Sequence, residues 1–376
     1  MLLKILKKAR LGSASLKVLA PFARRFGQRV SMTESEALAL LSAHSPDPRG
    51  SAFSRDDLRE ESPGLDLDII VPVYNVAPYL WDCVSSILEQ QTQYRFRAIL
   101  VDDGSTDGSG QILDEYPADP RMLVIHQENQ GLSGARNTGI ARSSAAYLLF
   151  LDSDDLLAPG AVEQLLSAAY AHKAALVQGC FTTFFGGNPP RRELSFPAPV
   201  TVNPPLNTLP GYAWGKLIRR DCFSHLRFPP GYWYEDTINA QLLFPTLLKN
   251  QETVVGIDHI VCHYRQNPQG ISRVAQGRPK ALDSFWITKA LYADRRLFSL
   301  ENTQLDYEGL LDMILLTYER TQRQPEPVRQ ALMVQWGAFL RTEFPGFHTG
   351  RMPLKALEDA LNDRNFSLYS LCCQLL

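Results

Sequence analysis

Apolar and polar positions along this chain fall into two regimes. Between Asp68 and Asp155, short unbroken apolar runs alternate with segments in which apolar residues recur every three or four positions. The runs at Asp68–Val73, Ala98–Val101, Met122–Ile125 and Tyr147–Leu151 have the length and composition of buried strands. Pro78–Gln90 has helical spacing, with Leu80, Val84, Ile87 and Leu88 on one face. A second helix carries Ile112 and Leu113, and a third opens after Asn129. This alternation predicts an α/β domain built on a mostly parallel sheet flanked by helices. Beyond Ser272 the pattern turns helical throughout. Phe285, Leu291 and Leu297 mark one segment, and Leu310, Leu311, Ile314 and Leu315 a second. Val328, Leu332, Trp336, Phe339 and Leu340 mark a third, and Leu354 to Leu361 a fourth.

The chain therefore reads as three parts: an extension and linker over 1–64, an α/β domain over 65–275 and a helical region over 276–376. Thr33-Glu34-Ser35-Glu36 has the form of a capping box and predicts a short helix through Leu41. Residues 45–64 are polar and rich in Pro, Gly and Ser, as a linker would be. The C-terminal helices could pack on the α/β domain, shape an acceptor site or support a homo-oligomer.

Charge changes the picture at one end only. The net charge is −2 over 376 residues, which gives no reason to expect nucleic acid. Yet Lys4, Lys7, Lys8, Arg10, Lys17, Arg24, Arg25 and Arg29 precede the first acidic residue. Leu2, Leu3, Ile5, Leu6, Leu16, Val18, Leu19 and Phe22 interleave with them. No apolar stretch here approaches the ~20 residues that span a bilayer, and lysines break every candidate leader. Such a segment can lie on an anionic membrane surface, dock on the protein's own acidic face, or act as a presequence. Six cysteines stand at 83, 180, 222, 262, 372 and 373 without CxxC spacing, which points to a reducing, cytoplasmic setting. The last four residues, Cys373 to Leu376, match a prenylation box in form, but they read as a buried or peripheral apolar tail.

The chemistry lies at the carboxyl ends of the predicted strands. Asp152 and Asp154 follow the run ending at Leu151 and, two apart, leave the sheet edge together. Carboxylates so placed can hold a hard divalent cation that shares its ligands with substrate phosphates, or they can cap the helix starting near Pro159. Tyr74, Asp103, Gly131 to Arg136 and Asp152/Asp154 all fall on the edge where parallel sheets bind ligands.

These residues carry a resemblance. VPVYN at 71–75, VDDGSTDGS at 101–109, NQGLSGARNTGI at 129–140 and FLDSDD at 150–155 resemble the nucleotide-sugar half of glycosyltransferase family 2. The likeness continues through AWGKLIRRDCF at 213–223, FPPGYWYEDT at 228–237 and HYRQNPQGIS at 263–272. It implies a GT-A fold and an inverting enzyme. It also implies that Pro72 and Tyr74 line a uracil pocket, with Asp103 on the base. Asp152, Ser153 and Asp154 form the DXD motif facing ribose and a Mn²⁺ or Mg²⁺ ion, Asp154 being the more direct ligand. Gly131, Ser133 and Arg136 meet phosphate, and His263 lies near metal and diphosphate. Asp236 is the catalytic base, with Glu235 orienting acceptor or loop, and Trp214 and Lys216 belong to the acceptor or phosphate side. Plainer readings stand beside these. Asp103 could be a turn aspartate, Arg136 a solvated helix residue and Glu235–Asp236 an acidic helix start. Trp214 could be a packed ring and His263 a structural histidine.

The function implied is transfer of a hexosyl or N-acetylhexosaminyl group from a UDP-sugar to a hydroxyl of a glycan or lipid-linked acceptor, in bacterial surface polysaccharide synthesis. The setting would be cytoplasmic, or peripheral on the inner face of the cytoplasmic membrane. With no spanning helix and no QxxRW motif, one or a few sugars would be added rather than a processive polymer. A sugar nucleotidyltransferase is the main alternative. It would need a glycine-rich basic loop after the first strand, where Val73-Tyr74-Asn75-Val76 stands. A non-catalytic scaffold of the same fold is a further alternative, and an NAD enzyme lacks its G-x-G-x-x-G.

Overall fold

The computed structural model describes residues 12–185, 190–267, 270, 275 and 277–376. Residues 1–11, with Lys4, Lys7, Lys8 and Arg10 of the basic segment, lie outside the described residues, as do Pro268, Gln269, Ile271 and Ser272 of the resemblance. The chain divides into two compact units. One is a sheet unit within Arg49–Gly270 and Ala290–Leu300; the other is a helical unit within Met1–Pro48, Ile271–Lys289 and Glu301–Leu376.

In the sheet unit, β1 (Leu67–Val73), β2 (Phe96–Asp102), β3 (Met122–His126) and β4 (Tyr147–Phe150) are joined by helices α3 (Ala77–Leu88), α4 (Ser109–Glu115) and α5 (Gly131–Arg142). All four are parallel neighbours in the order β3-β2-β1-β4. The order reverses at β1, so the crevice beyond the carboxyl ends of β1 and β4 is the topological switch point. Every residue of β1 is buried, as its continuous apolar run requires. Ile69 and Val71 pack toward Leu80, Val84 and Ile87 of α3, in one core with Leu165 and Leu166 of α6 (Ala161–His172). On the opposite face, Ile99 and Val101 meet Ala135 of α5. Gly139 lets α5 lie on β1: a Cβ there would stand 2.3 Å from Ile70 Cγ2.

Beyond β4 the sheet becomes mixed. β9 (Lys216–Arg219) pairs antiparallel with both β4 and β6 (Leu176–Phe184). β6 runs parallel to β10 (Val254–Arg265), and the short β5 (Leu156–Leu157) pairs antiparallel with β10. β7 (Arg191–Arg192) and β8 (Val200–Val202) flank β6 and β10.

The stretch read as a linker over 45–64 packs on the sheet unit from Arg49 onward. Its backbone is pinned to the sheet unit at several points. Ser54 N–H donates to the His225 carbonyl at 2.8 Å, Arg227 N–H to Ala52 at 2.8 Å and Ser62 N–H to Ser144 at 2.8 Å. Ala52 is buried, and its N–H donates to Asp294 at 2.6 Å.

The helical unit holds α1 (Gly12–Phe26), α2 (Glu34–His44), α9 (Gln304–Thr321), α10 (Glu326–Glu343), α11 (Met352–Asn362) and α12 (Phe366–Leu375); α8 (Asp283–Asp294) divides between the units. Thr33 caps α2 through a complete capping box with Glu36. The C-terminal tail, read as a buried or peripheral apolar tail within the helical region, is α12. Asn365 caps it by accepting from Leu368 N–H at 2.9 Å, and it buries Cys372 and Cys373. Among the described residues no helix is long and apolar enough to cross a membrane.

Candidate active site

The turns after β1 and β2 brace each other. Asn75 takes a left-handed φ of 52°, and its side-chain oxygen accepts from Thr106 N–H at 2.8 Å. Asp107 accepts from Ala77 N–H at 2.9 Å. Pro72 is buried in β1, opposite Val101, while Tyr74 is exposed at the strand end. Asp103 is buried. Its Oδ1 accepts from Gln127 Nε2 at 2.7 Å and from Gln130 N–H at 2.8 Å, tying the end of β2 to the start of α5. Gly131 opens α5 with a φ of 75°.

α5 presents a polar face to two later segments. Ser133 Oγ donates to the Pro229 carbonyl at 2.8 Å, and Asn137 exchanges bonds of 2.8 and 2.9 Å with the backbone of Phe228. Arg136 is only 2% exposed, so it is not the solvated helix residue its position allows. Its Nη2 donates to Asp152 Oδ1 at 2.7 Å, its Nη1 to Glu235 Oε1, and the guanidinium lies 5.1 Å from the Phe228 ring centre. Burial works against its charge, and Asp152 and Glu235 more than offset that, so it stays cationic.

Asp152 to Asp155 form a tight turn closed by Asp155 N–H to the Asp152 carbonyl at 3.0 Å, with Ser153 buried inside it. The pairing of β5 with β10 sets Leu156 against His263 and brings the end of β10 to this turn. Arg265 donates from N–H to Asp155 Oδ1 at 2.6 Å and from Nε to the Asp154 carbonyl at 2.8 Å. Asn267 Nδ2 donates to Asp154 Oδ2 at 2.9 Å. Asp155 Oδ2 is buried and has no hydrogen-bond partner among the described residues. Burial pushes the carboxyls of Asp154 and Asp155 upward, and Asp152 adds to both shifts. His263 Nδ1 meets Thr182 Oγ1 at 2.7 Å, and burial lowers its pKa toward the neutral imidazole.

The third wall follows Phe228. Gly231 and Tyr234 both take left-handed φ, 86° and 64°; the latter is strained for an aromatic residue and sits directly before Glu235. Glu235 is buried and Asp236 half-buried, at a turn leading into a π-helical turn, Asn239–Leu243, and then α7 (Phe244–Lys249). Burial pushes the Glu235 carboxyl up to about 7, with Arg136 opposing and Asp236 reinforcing the shift. Lys216 is fully buried; its Nζ donates to the Tyr212 carbonyl at 2.7 Å, and Asn239 Nδ2 donates to the same carbonyl at 3.1 Å. Burial drives Lys216 down to about 7 against the pull of Asp236.

Trp214 is packed on both faces. Tyr212 stacks on it at 4.8 Å and 8°, Tyr264 at 5.1 Å and 14°, and Phe181 meets its edge at 4.9 Å. The exposed member of the stack is Tyr212, at 45%. Sequence reasoning singled out none of Tyr212, Tyr264, Asp155, Arg265 and Asn267 for a role. Asp155 stood inside FLDSDD, and Tyr264, Arg265 and Asn267 inside HYRQNPQGIS, so they could have been found there; Tyr212, just before AWGK, shows itself only through its stacking on Trp214.

Comparison with known proteins settles the family. The family model described as Glycosyl transferase family 2 matches residues 68–228. Glycosyltransferase GlyA of Streptococcus pneumoniae serotype 4 is 34% identical over 224 residues, which cover 55% of this chain and 32% of GlyA. TuaG of Bacillus subtilis, a protein named for teichuronic acid biosynthesis, is 30% identical over 216 residues, covering 55% of this chain and 81% of TuaG. The chain belongs to glycosyltransferase family 2. Its fold is shared with S. aureus TarS residues 1–349, solved in complex with UDP-GlcNAc. The TM-score is 0.62 at 14% identity, over 81% of this chain and 89% of that one. The sheet unit is thus a GT-A fold. The chain spans about a third of the length of GlyA and most of the length of TuaG.

Among the described residues no group of three or more His, Cys, Asp or Glu side chains is arranged to hold a metal ion. Asp152 and Asp154 supply hard carboxylate oxygens at the strand end, and each engages one oxygen in the hydrogen bonds described, Asp152 Oδ1 and Asp154 Oδ2.

Proposed function

We propose that this family 2 member is an inverting glycosyltransferase that moves a sugar from a UDP-linked donor to a hydroxyl of a bacterial surface glycan or its lipid-linked precursor. The observation that carries this reading is the convergence of Asp152, Arg136 and Glu235 in one chain of contacts, next to Asp236, beyond the carboxyl ends of β1 and β4. The acceptor class rests on the naming of TuaG, and the donor on the UDP-GlcNAc bound to TarS. The reaction would be cytoplasmic, where nucleotide sugars are made.

In this reading Tyr74 and Pro72 flank the uracil, and Asp103, held by Gln127 and Gln130, accepts from its ring N–H. Asp152 faces the ribose. Asp154 and Asp152 would hold Mn²⁺ or Mg²⁺, and the ion would supply charge neutralisation on the departing diphosphate. The N-terminal turn of α5 at Gly131 and Ser133 offers backbone N–H groups to phosphate. Arg136 fixes Asp152 and Glu235 relative to one another. Asp236 takes the proton from the acceptor hydroxyl as its oxygen bonds to the anomeric carbon and the bond to diphosphate breaks, which inverts that carbon. Glu235 and Lys216 position the Asp236 segment, and the outer face of Tyr212, backed by Trp214, offers a ring to the acceptor sugar.

The test is calorimetry with UDP, GDP and CMP, each with and without Mn²⁺, followed by transfer assays with UDP-sugars. UDP alone should bind, and only with metal. Asp236→Asn should lower kcat by about a thousandfold while leaving the UDP affinity intact. Turnover close to wild type would remove Asp236 from the base role, and pyrophosphate in place of UDP as product would favour a nucleotidyltransferase.

A further inference from the structure

α1 is fastened along one side and apolar on the other. On the inner side Leu16 is buried, and Gly12 meets α12 so closely that a Cβ would lie 2.0 Å from the Leu375 carbonyl. Asn365 Nδ2 donates to the Ala23 carbonyl at 3.0 Å, Gln28 N–H to Ser367 Oγ at 2.9 Å, and Arg24 pairs with Asp359 at 2.5 Å. These contacts fix which face of the helix looks outward. That face carries Val18, Phe22 and Phe26 at successive four-residue steps, 76%, 67% and 65% exposed, with Leu19 beside them. The Phe22 and Phe26 rings lie 4.9 Å apart, and Arg25 lies 5.3 Å from the Phe26 ring centre.

We propose that this outer face of α1 docks on an anionic lipid surface. Exposing three large apolar side chains in one stripe of a helix costs free energy in water, so the stripe implies a partner. Its charge says which partner. Lys17, Arg25 and Arg29 are exposed around it, and no acidic residue precedes Glu34 in the chain. Cationic flanks beside aromatic and aliphatic side chains are the makeup of a helix lying in the headgroup plane, its apolar face sunk about 5–10 Å into the boundary. Arg25 can reach upward from within the stripe to lipid phosphate while its stem stays on Phe26. A second copy of the chain would bring like charges together at the same face, which argues against a symmetric dimer there.

The test uses the full chain with phosphatidylcholine vesicles, alone or with roughly one third phosphatidylglycerol. In flotation at low salt, the protein should bind the anionic vesicles and not the neutral ones. Phe22→Ser with Phe26→Ser should weaken that binding by about tenfold or more, and so should Lys17→Glu with Arg25→Glu. These side chains are exposed, so thermal unfolding should be unchanged in both variants, and UDP binding should be unchanged too. Three outcomes would overturn the proposal. The first is equal binding to neutral vesicles or none to either. The second is undiminished binding of the Phe22/Phe26 variant, which would place the attachment in residues 1–11. The third is a dimer in solution that the Phe22/Phe26 variant converts to monomer without any vesicle binding.

Discussion

Arg136 joins two carboxylates that the chain keeps far apart, Asp152 sixteen positions later and Glu235 ninety-nine positions later. Burying Arg136 and Glu235 beside the partly exposed Asp152 is costly, and their mutual attraction recovers that cost only while all three are present. Arg136→Leu should therefore destabilise the protein by about 3–5 kcal/mol, read as a lower urea midpoint at unchanged slope. Arg136→Leu combined with Glu235→Leu should recover part of the loss. A single variant within experimental error of wild type would show that the triad does not hold the loop. The residue type and helical position of Arg136 were legible in GARN; its burial was not, because a helix pattern says which residues share a face and not what later segment covers it.

His126 ties three elements together. It ends β3, its Nδ1 meets Asp102 at the end of β2 at 2.9 Å, and its Nε2 meets Asp114 of α4 at 3.1 Å. With a carboxylate on each ring nitrogen both must donate, so the contacts suit the imidazolium. The Asp102 bond raises the His126 pKa above its ordinary 6.5, with Asp114 adding to the shift. The stabilisation is then complete below 6.5 and disappears as pH rises through the raised folded-state value. The stability difference between wild type and His126→Gln should accordingly be largest near the acid side of neutrality and vanish in mild alkali. The ring is partly exposed, so solvent screening keeps the effect small. Denaturant titrations across pH check this; a difference that grows with pH would contradict it. At this scale the sequence was most readable. Strands β1 to β4 and the capping box at Thr33 lie where period and cap residues place them, whereas the π-turn at Asn239–Leu243 carries no comparable local signal.

For the whole molecule, the proposed donor site lies within the sheet unit, so nucleotide should stabilise that unit through mass action. UDP with Mn²⁺ at a hundredfold excess over Kd should add about 2.7 kcal/mol to its unfolding free energy. Chelation should remove that gain, and Asp154→Asn should abolish the metal-dependent part. A melting temperature raised equally by UDP without metal would leave the Asp154 assignment without support. The sequence by itself determined the strand–helix alternation, the edge on which Tyr74, Asp103 and Asp152 gather, and family membership. All three are written in short-range periodicity and in contiguous motifs. Only the tertiary structure decided that Arg136 is buried between Asp152 and Glu235 and that Trp214 lies between Tyr212 and Tyr264. It also decided that residues from Arg49 are strapped to the sheet, and that α1 turns Phe22 and Phe26 outward. Apart from Tyr212, two positions from Trp214, these partners stand sixteen or more positions away, and local pattern carries no term for what packing brings from that distance.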